Sequence, residues 1–183
     1  MSEYRVAARY AKSLLDLSIE QNKLDAVFSD MKNFATILRA NKDLHNMLCS
    51  PIINGDKKMA VLNNVFANKF EALTMNFFAI VIRKKRESML QAVADGFVEQ
   101  YNTKFNIANA SVKSAIELSE SALAEIKSHL ESQTGKKINL SSKVDAELIG
   151  GVVVQVGDRL FDASIAGKLG KLKQELLNSY ISK

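Results

Sequence analysis

The first 105 residues contain one proline, Pro51, and glycine only at Gly55 and Gly96. So few backbone breakers restrict this stretch to regular elements joined by short turns. The apolar residues decide which kind. Leu24, Val27, Phe28, Met31, Phe34 and Leu38 recur three and four apart, the period of a helix with one buried face. Leu44, Met47 and Leu48 mark a shorter helix after Asn41, and Ser50-Pro51 and Asn54-Gly55 break the chain behind it. Helical patterns resume over 59–66 and 70–83, and again where Leu90, Val93, Phe97 and Tyr101 share a side. With the N-terminal segment, that makes about six helices with short connections, a bundle.

The period changes after Asn106. Ala108, Ala110, Val112 and Ile116 alternate with polar residues, as in a strand with one face buried. Ser119 is placed to cap a helix whose Leu123, Ile126 and Leu130 point inward, and Gly135 to end it. Ile138, Leu140 and Val144 predict a second strand, 152–156 a third, and Leu160 a short fourth before a helix from about Ala163. The expected fold is an N-terminal six-helix bundle over 1–105 followed by a small C-terminal α+β domain over 106–183.

The chain is 47% hydrophobic, enough for a real core in 183 residues. A net charge of +5 permits a basic patch without requiring a nucleic acid. The single cysteine, Cys49, excludes an internal disulfide and fits a reducing compartment. The longest apolar run, 77–82, is too short to cross a bilayer. The N-terminus has no long apolar stretch and carries Glu3 and Asp16, so it reads as mature protein, and a soluble chain is expected.

The segment 150-GGVVVQVGDRLFDASIAGKLGKL-172 has the glycines of a phosphate cradle in the wrong order. A dinucleotide fingerprint places them after a strand and at the opening of a helix. Here Gly150-Gly151 precede the strand, and Gly157-Asp158 reads as a hairpin turn. Gly167 and Gly170 fall within the helical stripe Ile165, Leu169, Leu172 and Leu176, with Asp162 or Ser164 as its cap. The alternative is that Gly167 to Gly170 forms the GxxG loop of single-strand RNA-binding domains, flanked by lysines. No catalytic motif stands out in the sequence. His45 and His129 stand on helices without partner motifs, Cys49 has no CxxC, and Asp145 and Glu147 read as the start of a turn. No enzyme, metal or cofactor is expected.

Two helices carry more apolar surface than one core needs. Projected at about 100° per residue, Arg5, Arg9, Lys12, Asp16 and Glu20 fall in one narrow wedge of the first helix. The apolar remainder spans on the order of 220°, about twice the usual stripe. It divides into Ala7, Ala11, Leu14, Leu15 and Ser18 on one side and Val6, Tyr10, Ser13 and Leu17 on the other. In the fifth helix Leu73, Phe77, Phe78, Ile80, Val81 and Ile82 leave Asn76 almost the sole polar residue. Such helices imply either an unusually wide core or a groove for a partner's amphipathic helix. The run Arg83-Lys84-Lys85-Arg86 is either a solvated helix end or a basic rim of that groove.

The 150–172 segment, Ala8 to Lys12 (A-R-Y-A-K) and the helix around Asn76-Phe77-Phe78 together resemble the delta subunit of F-type ATP synthases, relatives of the mitochondrial oligomycin-sensitivity-conferring protein. The resemblance covers the whole chain. It implies a non-catalytic stator subunit linking the catalytic head to the peripheral stalk, so that proton-driven rotation yields ATP. The bundle is then expected to bind N-terminal segments of alpha subunits through Tyr10, Ser13, Leu17, Phe77, Ile80 and Lys84. The second domain is expected to hold the C-terminal end of the b-type stalk subunit. Lys168, Lys171 and Lys173 would face that stalk while the Ile165 stripe packs on the sheet. The implied location is peripheral, at the cytoplasmic face of a bacterial plasma membrane, with membrane contact only through the complex.

Overall fold

The structure, a computed structural model, describes residues 3–157, 159–170 and 172–173. The chain divides into two compact units, Met1–Lys104 and Phe105–Lys183.

The first unit is helical: α1 (Glu3–Glu20), α2 (Leu24–Ala40), α3 (Lys42–Cys49), α4 (Gly55–Phe66), α5 (Ala72–Arg83) and α6 (Leu90–Lys104). A 3-10 turn, Glu87–Met89, runs directly into α6, so the set is not a clean six-helix bundle. Val27, Met31, Phe34 and Leu38, spaced four, three and four apart on α2, are all buried. Phe34 is the hub. Its ring meets Phe66, Phe70 and Phe78 at centroid distances of 5.6, 6.5 and 4.5 Å. Each such pair adds about 0.5–1.5 kcal/mol beyond the area it buries.

Both ends of α5 are fixed by other elements. Its first turn makes no side-chain cap of its own. Asp30 of α2 supplies one instead: its Oδ2 accepts the Glu71 N–H and the Thr74 hydroxyl, each at 2.8 Å. At the other end the Lys85 N–H donates to the Ile82 carbonyl at 2.8 Å and the Arg86 N–H to the Val81 carbonyl at 3.1 Å. This pairing closes a helix through a left-handed residue, here Lys85 at φ 55°. Beyond it, buried Lys58 of α4 joins Glu87 at 2.7 Å and donates to the Leu48 carbonyl at 2.8 Å.

The second unit holds β1 (Ile107–Ser114), α7 (Glu120–Thr134), β2 (Lys137–Val144), β3 (Val152–Val156) and β4 (Arg159–Asp162), with residues 165–170 and 172–173 helical. The sheet order is β2-β1-β3-β4. β1 and β2 are parallel, so α7 is the crossover between them; β3 pairs antiparallel with β1, and β4 pairs antiparallel with β3 at the sheet edge. The Ser119 Oγ accepts the Ala122 N–H at the start of α7, and Gly135 ends it at φ 64°. Val156 faces Arg159 across a turn entered through Gly157 at φ 56°. The core here is small: Ala110, Val112, Leu130, Ile138 and Val154. As a whole the described chain is mostly helical, with eight α-helical segments and one four-stranded sheet.

Candidate functional site

The two sides of α1 meet different surroundings. Ala7, Ala11, Leu14, Leu15 and Ser18 are buried. The Ser18 hydroxyl is satisfied inside by donating to the Leu15 carbonyl at 2.7 Å. Val6 and Tyr10 are half-buried, Ser13 is exposed and Leu17 keeps 38% of its surface open. The Ser13 hydroxyl folds back onto the Arg9 carbonyl at 2.9 Å, leaving a small, polar-satisfied spot in this face.

α5 is far more enclosed. Leu73, Thr74, Met75, Phe77, Phe78, Val81 and Ile82 are all buried, which accounts for most of its excess hydrophobicity as core. Its open strip consists of Asn76, half-buried Ala79 and Ile80, the last 46% exposed. The link to α1 is aromatic. Tyr10 meets Phe77 edge to face at 6.3 Å. The Arg86 guanidinium lies 5.7 Å from the Tyr10 ring centre and donates from Nη1 to the Tyr10 hydroxyl at 3.3 Å. The open apolar side chains are therefore Val6, Tyr10 and Leu17 on α1 and Ile80 on α5, and the two helices are joined where Tyr10 rests on buried Phe77. The exposed cations Arg83, Lys84, Lys85 and Arg86 stand where α5 ends. Apolar area beside a basic end is chemically suited to an amphipathic helix.

Of the residues singled out in the sequence, Tyr10, Ser13 and Leu17 share one face of α1 at spacings of three and four. Ile80 is open on α5, and Lys84 is exposed at its end. Phe77 differs, because it is buried and props Tyr10 from beneath. Three residues that shape the surface went unmarked. Arg86 was visible only as one charge in a run. Lys58 and Asp30 are charged residues within helices, and nothing in their local sequence marks them, yet both are buried. Burial pushes the Asp30 carboxyl above its ordinary pKa; its hydrogen bonds from Glu71 and Thr74 oppose the shift, and the nearby Glu71 charge adds to it.

In the second unit the 150–172 segment proves to be a helix-starting device. The Ser164 Oγ accepts the Gly167 N–H at 2.9 Å, and the Asp162 Oδ1 accepts the Ser164 N–H at 2.8 Å. Ser164 is therefore the cap and Asp162 its support. Gly151, at φ 80°, passes so close to the Ala163 carbonyl that a Cβ would collide with it. A Cβ on Gly167 would strike the Asp162 carboxylate. Gly167 to Gly170 lies within helical residues 165–170, not in a loop between helices, which removes the geometry an RNA-binding GxxG needs.

The expectation that the Ile165 stripe packs on the sheet is corrected. Ile165, Leu169 and Leu172 are 46%, 54% and 53% exposed. The sheet's buried face is already covered by α7 through Ile126 and Leu130. Lys168 and Lys173 are exposed beside the stripe, whereas Lys171 and Leu176 lie outside the described residues. An apolar cleft of about 570 Å³, lined by Ile126, His129, Leu130, Val154 and Phe161, opens between α7 and the sheet. Among the described residues no cluster of three potential metal ligands occurs. His45 has a neighbour after all, the Cys49 sulfur at 3.5 Å, on the exposed side of α3.

Residues 6–176 match the family model described as ATP synthase delta (OSCP) subunit. The chain is 37% identical over 177 residues to the ATP synthase subunit delta of Chlorobaculum tepidum, covering 97% of this chain and 98% of that protein. It is 34% identical over 182 residues, the full length of both chains, to that of Cytophaga hutchinsonii. A chain of the cryo-EM structure of the Toxoplasma gondii mitochondrial ATP synthase hexamer superposes with a TM-score of 0.68 at 26% identity, covering 93% of this chain and 97% of that one. The chain belongs to the ATP synthase delta (OSCP) subunit family. None of these likenesses supports the RNA-binding alternative.

Proposed function

We propose that the chain is the non-catalytic stator link of an F-type ATP synthase, holding the catalytic head to the peripheral stalk while the rotor turns. The first unit docks N-terminal segments of alpha subunits on the α1–α5 face, with Tyr10, Leu17 and Ile80 as apolar contacts and Lys84 at the rim. Ser13 excludes bulk and charge, and Phe77 holds Tyr10 in place. The observation that carries this reading is the unequal treatment of α1. Its Ala7–Ser18 side is fully used by the bundle, while the Tyr10–Leu17 side is largely apolar and partly uncovered. The second unit captures the C-terminal end of the b-type stalk subunit. Its open Ile165, Leu169 and Leu172 stripe supplies apolar area, and Lys168, Lys171 and Lys173 supply charge. No described helix is long and apolar enough to cross a membrane. Membrane association then runs through the complex, at the cytoplasmic face.

Co-purification with the catalytic head tests the first contact. The chain is expected to stay bound to an intact head and to be lost from a head whose alpha N-termini have been removed. Equal retention on both would overturn the docking assignment. Tight binding of single-stranded RNA with a steep salt slope would instead favour the discarded alternative.

A further inference from the structure

We propose that Arg86 selects the occupant of the α1–α5 face, and that this occupant is an amphipathic helix bearing carboxylates at one end of its apolar stripe. The inference rests on the docking reading above and adds the charge that the docked segment must carry.

Four observations converge on it. Arg83, Lys84, Lys85 and Arg86 are all exposed, and among the described residues no ion pair engages any of them. The adjacent carboxylate, Glu87, is withdrawn from the cluster because it turns inward to Lys58 at 2.7 Å. The helix-closing turn fixes where the chain leaves α5, with the Arg86 N–H bound to the Val81 carbonyl. Finally, the Arg86 side chain is parked over Tyr10, at the aromatic centre of the apolar face, by a stacking contact and one hydrogen bond.

The physical consequence follows from the shape of the group. A guanidinium has five N–H donors in a planar fork. Tyr10 engages one nitrogen, so the remaining donors are held in a fixed direction beside the groove. An arginine ordered in advance loses less entropy when a carboxylate arrives. A helix lying on Tyr10 and Ile80 also displaces water from around that pair, which strengthens it. A segment with cations at the same end would meet Arg86 and the exposed cations next to it in sequence, so the charge rejects as well as attracts.

The test uses the full chain and two labelled peptides. One is the N-terminal segment of the cognate alpha subunit. The other has its Asp and Glu residues replaced by Asn and Gln. The native chain is expected to bind the carboxylate peptide about tenfold tighter or more, the scale of one charge-assisted hydrogen bond. Arg86→Gln should bring the ratio of the two affinities down several-fold toward one, and Arg86→Lys should restore part of it. Thermal unfolding of each variant checks that the bundle is intact. Undiminished discrimination in Arg86→Gln overturns the inference, as does equal binding of both peptides by the native chain. If neither peptide binds at any salt concentration, the docking reading itself has failed and takes the inference with it.

Discussion

α1 and α5 look alike as sequences and are used differently by the fold. Each carries apolar residues around more of its circumference than a surface helix needs. The bundle wraps α5 on nearly every side, through Phe78 against Phe34 and Phe70 and through buried Val81 and Ile82, and leaves a strip at Asn76 and Ile80. It uses only half of the apolar arc of α1 and leaves Val6, Tyr10, Ser13 and Leu17 partly or fully open. The difference teaches that the amount of apolar surface is a poor guide to an interface. An unbroken apolar circumference marks the middle of a bundle. An apolar arc that splits into a side rich in Ala and Leu and a second side around Tyr10 is, in α1, buried on the first side and left partly open on the second.

The comparison has measurable consequences, the largest in the enclosed helix. Phe78→Ala should cost about 3–5 kcal/mol in urea unfolding, because Phe78 is fully buried among three other rings and its neighbours cannot collapse into the space. Tyr10→Ala, with an edge contact to Phe77 and a half-open ring, should cost clearly less. Equal losses would make α1 as enclosed as α5 and erase the distinction.

Next comes the cap that α2 lends to α5. Asp30→Ala removes the acceptor for the Glu71 N–H and the Thr74 hydroxyl and should cost about 1–3 kcal/mol. Asp30 also sets a pH dependence. Its folded pKa lies above the ordinary carboxylate value, mainly through burial. Between those two values the folded state holds more protons than the unfolded state. Its contribution is therefore greatest below the ordinary value, declines as pH rises through the raised one, and is flat above it. The stability difference between the native chain and Asp30→Asn, measured by urea titration across that range, should shift against the native chain as pH rises. A difference that does not move would mean that Asp30 is not desolvated.

These effects also mark how far the sequence could be read. The three- and four-residue spacing of Val27, Met31, Phe34 and Leu38 announced α2 because one face does one job. The Ser119 cap and the Gly135 stop bounded α7 because both are local chemistry. The division of α1 was legible for the same reason, since the two sides differ in residue type. Asp30 and Lys58 were not, because their partners stand 41 and 29 residues away and a charged residue in a helix looks the same whether solvated or enclosed. The Ile165, Leu169 and Leu172 stripe had the right period but gave no hint that α7 already covers the sheet. Periodicity locates an apolar face; it does not say what that face lies against.

A smaller effect is expected where α5 ends. Lys85 holds φ 55°, a conformation that costs a side-chain-bearing residue about 1 kcal/mol relative to glycine. Lys85→Gly should therefore raise the stability of the chain by up to that amount in urea unfolding, with the turn and the Arg86 position kept. A loss of stability would show that the lysine side chain contributes more than its backbone costs.

The smallest effect on stability belongs to the residue that discriminates best between the two helices. Ser13 is exposed, and its hydroxyl makes only the weak return bond to the Arg9 carbonyl within its own helix. Ser13→Asp should leave urea stability within about 0.5 kcal/mol, as for most surface substitutions. The same carboxylate would stand in the open face of α1. There it would have to lose water when an apolar stripe seats, and it would repel an acidic segment drawn by Arg86. Affinity for the alpha-subunit segment should fall about tenfold or more. A variant that unfolds would mean that this side of α1 is core, like α5. A variant that folds and docks unchanged would mean that the open face serves some other contact.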